Sequence, residues 1–245
     1  MAQPKVFLGI GHGGRDPGAV ANGFEEEDLN LAIGLACRDE LIRHGVQVLT
    51  SRTTDEDDLL ADVVAECNAF NPDLAADIHN NAGGGDGAEV YYSINDGTSK
   101  KLAQNILYGI MTTGQNSRGA KTNTRADGRD GYMFMRDTKA PAVIVECAFV
   151  DNKKDIQIID TPAEQKAMGV AIAKGFLKTL GITYKEENSM ATKKDNTPDK
   201  YAKSAVEKAI KSGVLKGTTD GDLKLHSPVI RQDFFVFLDR LGLLK

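Results

Sequence analysis

The sequence predicts an α/β fold, a mainly parallel twisted sheet covered by helices on both faces, followed by a small all-α helical hairpin domain. Three observations carry this prediction. From Lys5 to about Leu180, apolar strand-like runs alternate with helix-period segments, the signature of a layered α/β domain. The run Ala142 to Cys147 is apolar until Glu146, as expected of a strand buried on both faces. Between Tyr184 and Asp199 the chain turns polar and aperiodic before a second helical pattern begins, which marks a linker. The predicted divisions are 1–182 for the main domain, 183–197 for the linker and 198–245 for the small unit.

The expected strands are Lys5 to Ile10, Val46 to Ser51, Leu74 to His79, Ala88 to Ser93, Tyr132 to Arg136 and Ala142 to Cys147. Asp28 to His44 reads as a helix on the spacing of Leu31, Leu35, Ala36, Leu41 and Ile42, stopped by Gly45. Leu60, Val63, Val64 and Cys67 mark a second helix, and Ser99 is the expected cap of a third running to about Gly114. A fourth helix opens with Thr161 as N-cap, Pro162 at the first position and Glu164 completing a capping box. In the small unit, a helix opening at Thr197-Pro198-Asp199 ends at Gly213, and a second spans Arg231 to Leu241. A hairpin of that size buries little core alone.

The 245 residues are 41% hydrophobic and 27% charged, a globular balance, and carry a net charge of -5. Nucleic acid and anionic lipid both demand clustered positive charge, so neither is an expected partner. The apolar runs fall far short of the roughly 20 residues that span a bilayer, so membrane insertion is not expected. The start Met1-Ala2-Gln3-Pro4-Lys5 lacks the apolar core of a secretory signal, which predicts synthesis in the cytoplasm. Cys37, Cys67 and Cys147 are widely spaced with no CxxC pair, and read as reduced, mostly buried thiols.

Four histidines are present: His12, His44, His79 and His226. His12 follows the first strand in Gly11-His12-Gly13-Gly14, and His79 ends the third in Ile78-His79-Asn80-Asn81. The carboxyl ends of parallel strands are where α/β folds place their sites, so the two imidazoles can converge on a metal ion. Glu25, Glu26, Glu27 and Asp28 offer a third ligand, and Glu146 is a carboxylate in an otherwise apolar strand, which calls for a neighbouring cation or a reacting water. Blander accounts exist for each alone: a tight glycine turn, acids complementing a helix dipole, a satisfied core histidine, a salt-bridged glutamate. His44, before Gly45, reads as a surface or capping residue.

Taken together the residues resemble the Amidase_3 family of N-acetylmuramoyl-L-alanine amidases, which includes phage endolysins and sporulation amidases. The resemblance covers about residues 4–181. It rests on Gly11-His12-Gly13-Gly14 continuing into Asp16-Pro17-Gly18-Ala19, Glu26 ahead of Leu29-Asn30-Leu31, Ile78-His79 with Asn81-Ala82, Arg118-Gly119 with Lys121, and Pro141 to Glu146 followed by Phe149 and Asn152. It implies that His12, Glu26 and His79 bind one Zn²⁺, with Glu26 chosen over its neighbours by its spacing to Leu29, and that Glu146 is the catalytic carboxylate. Asn80, Asn81 and Arg118 are weaker expectations for substrate binding. The polar stretch Thr124 to Arg129 is longer than the family pattern.

The implied activity is zinc-dependent cleavage of peptidoglycan between N-acetylmuramic acid and L-alanine, as a phage endolysin that reaches the wall after release. The alternatives are a host cell-wall or sporulation amidase, a non-catalytic wall-binding protein, or a zinc carboxypeptidase on a similar sheet. The pattern Tyr201 to Val206, Gly213 to Gly217, Asp220-Gly221 and Val229 to Phe234 resembles a single S-layer-homology repeat. That implies binding of a secondary cell-wall polymer or self-association. A hairpin that only stabilises or dimerises the enzyme is the alternative. Met190 reads as a linker methionine, with an internal translation start as the second reading.

Overall fold

The computed structural model describes residues 3–186, 198, 203–211, 215 and 223. The chain divides into two units, Met1–Tyr184 and Lys185–Lys245. The larger unit is built on a six-stranded sheet of β1 (Lys5–Ile10), β4 (Gln47–Thr50), β5 (Leu74–Asn81), β6 (Ala88–Tyr92), β7 (Ser117–Lys121) and β8 (Ala142–Phe149). Its order is β4-β1-β5-β8-β6-β7. The first four positions run parallel, β6 is antiparallel to β8, and β7 is parallel to β6. A small hairpin, β2 (Val20–Ala21) with β3 (Phe24–Glu25), stands apart from the sheet.

Helices cover both faces. Side chains of α1 (Glu26–Arg43), α3 (Gly97–Met111) and α6 (Pro162–Leu180) join one buried cluster with Val6, Leu8, Ile78, Val143 and Val145. On the other face, α2 (Leu60–Phe70) and α4 (Met133–Asp137) bury Val63, Cys67, Phe134 and Met135 against Phe7, Ala75 and Ile144. The alternation along each strand sends consecutive residues to opposite clusters. All three cysteines are buried free thiols. Among the described residues no helix is long and apolar enough to cross a membrane.

The fourth helix has the expected capping box, with reciprocal hydrogen bonds between Thr161 and Glu164 and Pro162 in the first turn. Two expectations are corrected and one strand is added. Tyr132 to Arg136 is not a strand: Met133–Asp137 forms α4, because one helical turn buries the consecutive residues Phe134 and Met135 on the same core, where a strand would point them apart. The edge strand Ser117–Lys121 goes unpredicted because SRGAK has no apolar alternation. Asp96, not Ser99, caps α3: its carboxylate accepts from the Thr98 and Ser99 amides, and Ser99 lies inside the first turn.

In the smaller unit, α7 (Lys203–Lys211) carries Ala205, Ala209 and Ile210, with no buried side chain. The expected second helix from Arg231 to Leu241, the rest of the repeat pattern and Met190 lie outside the described residues.

The crossing of α6 over α1 depends on Gly169, where a Cβ would sit 2.5 Å from the Ile33 carbonyl oxygen and 2.8 Å from the Cys37 amide nitrogen. Gly169→Ala is expected to lose roughly 1–3 kcal/mol by overpacking, more than the roughly 1 kcal/mol that alanine gains as a helix former. An unchanged urea midpoint would contradict this close approach.

Candidate metal centre and active site

The centre forms where β1 and β5 end. β1 gives way to Gly11, whose amide still donates to the Ile78 carbonyl, and then to His12 in the left-handed region at φ 64°. That conformation is costly for a residue with a side chain. Arg52, almost wholly buried, helps hold it: the guanidinium donates to the carbonyls of Ile10, Gly11, Glu27 and Thr54. One side chain thus ties the end of β1 to the first turn of α1.

Glu26 opens α1 and is 4% exposed. The β2–β3 hairpin delivers it, turning at Asn22 and Gly23, both with positive φ, the signature of a tight hairpin turn. The Ala19 and Asn80 amides donate to the two oxygens of its carboxylate, at 3.0 and 3.1 Å. His12 Nε2 lies 3.2 Å from Oε2, and His79 Nδ1 lies 3.2 Å from Oε1. Burial works to raise the carboxyl pKa, but the hydrogen bonds to His12 and His79 outweigh it and hold Glu26 well below the usual carboxylate range. Of the acidic run, only Glu26 joins the histidines among the described residues.

The same bonds reach the imidazoles. Hydrogen bonding to Glu26 pushes His12 up against the opposing effect of burial. His79 is also pushed up, because Asp77 and Glu26 outweigh a large desolvation. The two rings meet edge to face with centroids 5.0 Å apart. Gly11 makes room for this: a Cβ there would fall 2.1 Å from His79 Cε1.

Glu146 is the register partner of His79 on β8, and Glu89 is the partner of Glu146 on β6. Directly opposed residues share a face, so His79, Glu146 and Glu89 form a row across three strands. Glu89 is satisfied: it accepts from Arg118, Lys121, Tyr91 and Asn81. Glu146 Oε2 is buried without a partner among the described residues. Desolvation is the main cause raising its pKa from 4.5 to about 7.

The weaker candidates take different places. Asn80 is buried and donates to Asn30, which in turn donates to Gly11 and Glu26, so it positions the centre from behind. Asn81 and Arg118 both bind Glu89, and Arg118 also lies over the Phe149 ring at 5.1 Å. The stretch Thr124 to Arg129 folds on itself, with Asp127 pairing Arg125 and Arg129. His44 is the C-cap of α1, and its ring stacks on Tyr184. Sequence reasoning missed Asn30, Arg52, Asp77 and Glu89. Asp77 and Glu89 carried the signal that singled out Glu146, an acid inside an apolar strand, whereas Arg52 sits among loop residues and gave none.

A cavity of about 460 Å³ opens beside the centre, lined by His12, His79, Asp16, Asp58, Asp77 and Leu59 among others. That volume suits a small substrate moiety.

Residues 6–178 match the family Amidase_3, described as N-acetylmuramoyl-L-alanine amidase. The chain is 32% identical over 221 residues to N-acetylmuramoyl-L-alanine amidase CwlM of Bacillus licheniformis, a match covering 86% of this chain and 84% of that one. It is 29% identical over 244 residues to the endolysin of Bacillus phage SPP1, covering 96% and 88%. Among solved structures, Cwp6 from Clostridium difficile superposes with a TM-score of 0.71 at 37% identity, over 73% of this chain and 30% of that longer one. Matched by the family over residues 6–178 and 32% identical to CwlM over most of both chains, the chain belongs to the Amidase_3 family of N-acetylmuramoyl-L-alanine amidases.

Proposed function

We propose that the chain is a zinc hydrolase that cleaves the amide between the lactyl group of N-acetylmuramic acid and L-alanine in peptidoglycan. The observation that carries this reading is the cluster of His12, Glu26 and His79 beside the unpartnered carboxylate of Glu146. One ligand atom from each of the three lies within 4.8 Å of the others, and the two histidine–glutamate pairs are 3.2 Å apart. A tetrahedral zinc site with bonds of about 2.0–2.1 Å has edges of about 3.3 Å; the two histidine–glutamate contacts, each to its own carboxylate oxygen, have that length, and two imidazoles with a carboxylate are a donor set that suits the ion. When bound, zinc supplies Lewis-acid polarisation of the scissile carbonyl and lowers the pKa of water toward about 7.

The chain's own residues do the rest. Glu146 accepts a proton at its carboxylate from the attacking water as the water oxygen bonds to the lactyl carbonyl carbon. As the carbon–nitrogen bond breaks, Glu146 returns the proton to the leaving amine of L-alanine, leaving a carboxylic acid on the sugar. In the zinc-free chain burial raises the Glu146 pKa to about 7, the direction that suits proton transfer near neutral pH. Glu89 holds Arg118 and Lys121 at the far end of the row from His79. We assign those two cations to carboxylate groups of the substrate.

The similarity to the SPP1 endolysin extends over 96% of the chain, which supports a phage lytic role. The likeness to CwlM supports a host cell-wall amidase as the second reading. Residues 198–245 would then target the enzyme to a wall polymer or pair it with a second copy. Removal of 190–245 is expected to weaken sedimentation with purified walls at unchanged cleavage of soluble muropeptides, and unchanged sedimentation would sink the targeting role.

Digestion of peptidoglycan by wild type is expected to release stem peptides with new L-alanine amino termini, and a chelator should abolish the release. Glu146→Gln should lower kcat by roughly 10²–10⁴ while retaining bound zinc. Intact wall after wild-type treatment would point to a binding protein, and cuts within the peptide to a peptidase.

The raised Glu146 pKa also shapes stability. The folded, zinc-free protein prefers the protonated form, so this contribution is complete below pH 4.5 and is lost as pH rises through about 7. Glu146→Gln removes the dependence. It is expected to stabilise the zinc-free protein at pH 8–9 by up to roughly 3 kcal/mol, at 1.36 kcal/mol per pKa unit, with little difference at pH 4. Equal melting temperatures at both pH values would refute the buried charge.

A further inference from the structure

Each histidine of the cluster turns one ring nitrogen toward Glu26 and the other toward an outer carboxylate. For His12 these are Nε2, 3.2 Å from Glu26, and Nδ1, 2.9 Å from Asp16 Oδ2. For His79 the roles of the nitrogens reverse: Nδ1 lies 3.2 Å from Glu26, and Nε2 lies 3.3 Å from Asp77 Oδ2. The two outer acids differ in setting. The Asp16 side chain is 69% exposed and that of Asp77 only 8%, so solvent weakens the first contact and leaves the second strong.

We propose that Asp77 is a positioning residue for the metal centre: it accepts the Nε2–H hydrogen bond of His79 and so keeps the Nδ1 lone pair turned inward for the ion. A neutral imidazole carries one proton, and a ligating nitrogen must lack it. The opposite tautomer would place a proton where the ion must bind. The inference rests on the zinc reading of the cluster given above.

The fold is shaped around this carboxylate. Asp77 and His79 are two apart on β5 and therefore share a face, and Asp77 pairs in register with Gly9 on β1. A Cβ at position 9 would fall 2.6 Å from Asp77 Oδ1, so any residue but glycine would displace the acid from beneath the ring. A buried carboxylate is costly unless it is paired, and His79 is its one ion-pair partner among the described residues. Outer carboxylates of this kind are typically worth 10- to 100-fold in metal affinity.

The test uses the full chain as wild type, Asp77→Ala, Asp77→Asn and Asp16→Ala. Zinc affinity is measured by competition with a chromogenic chelator, alongside the melting temperature of the zinc-free proteins. Asp77→Ala is expected to bind zinc 10- to 100-fold more weakly and, since loss of one partner of a buried pair destabilises, to melt below wild type without zinc; the ring-nitrogen assignment of His79 separates positioning from a merely structural role. Asp77→Asn, whose amide oxygen can still accept the bond, should lose less, and Asp16→Ala should lose less than Asp77→Ala. In ¹⁵N spectra of the zinc-loaded wild type, His79 should carry its proton on Nε2; a proton on Nδ1 overturns the proposal without recourse to any variant. Zinc affinity within twofold of wild type in both Asp77 variants also overturns it. A wild-type chain that takes up no zinc overturns the metal centre itself, and the role of Asp77 with it.

Discussion

The carboxylate of Glu26 is the contact on which the candidate site depends. It is buried, it bridges the imidazoles of His12, just past β1, and His79, on β5, and it receives backbone amides from Ala19 and Asn80. A carboxylate taken from water at that depth is unfavourable unless every lone pair is answered. The surrounding chain answers them: the β2–β3 hairpin brings the Ala19 amide, β5 brings the Asn80 amide, and Asn30 adds a side-chain donor one helical turn on. Arg52 then fixes the carbonyls at the end of β1 against the start of α1, so the two halves of the cluster keep their spacing.

The charge arrangement around this cluster is graded. Glu26 is held ionised by the histidines, Glu89 is held ionised mainly by Lys121 and Arg118 against the opposing pull of burial, and Glu146 between their rows is pushed the other way by desolvation. Three carboxylates, at the start of α1 and on the neighbouring strands β6 and β8, therefore have separate protonation behaviour because each has different partners. Two acids set apart in this way are the usual arrangement for assigning one to charge and another to proton transfer.

The antiparallel placement of β6 against β8 has a functional consequence. It puts Glu89 opposite Glu146 and carries the Arg118–Lys121 strand to the edge of the sheet. Both cations thereby meet Glu89, and the row from His79 to Glu89 ends in positive charge. The cavity lined by Asp16, Asp58 and Asp77 also takes in Arg15 and both histidines of the cluster.

Much of the α/β layout was legible because it is written in local terms. Strand alternation, the helix periods of α1 and α2 and the capping box of α6 depend on residues within a few positions of one another. His12 and His79 could be placed at strand ends from the residues themselves, whereas the set His12, Glu26, His79 and Glu146 was named through the resemblance to the Amidase_3 family. Distant pairing stayed hidden: that SRGAK is an edge strand, that Met133–Asp137 coils to bury Phe134 and Met135 together, and that Asp77 sits under the ring of His79. The sequence determined which side chains can carry the chemistry, since that is a property of residue type and local spacing. Only the tertiary structure decided which of the acids would be held ionised, pushed toward the neutral form or buried behind a histidine, since that depends on neighbours brought from across the sheet and on the water they exclude.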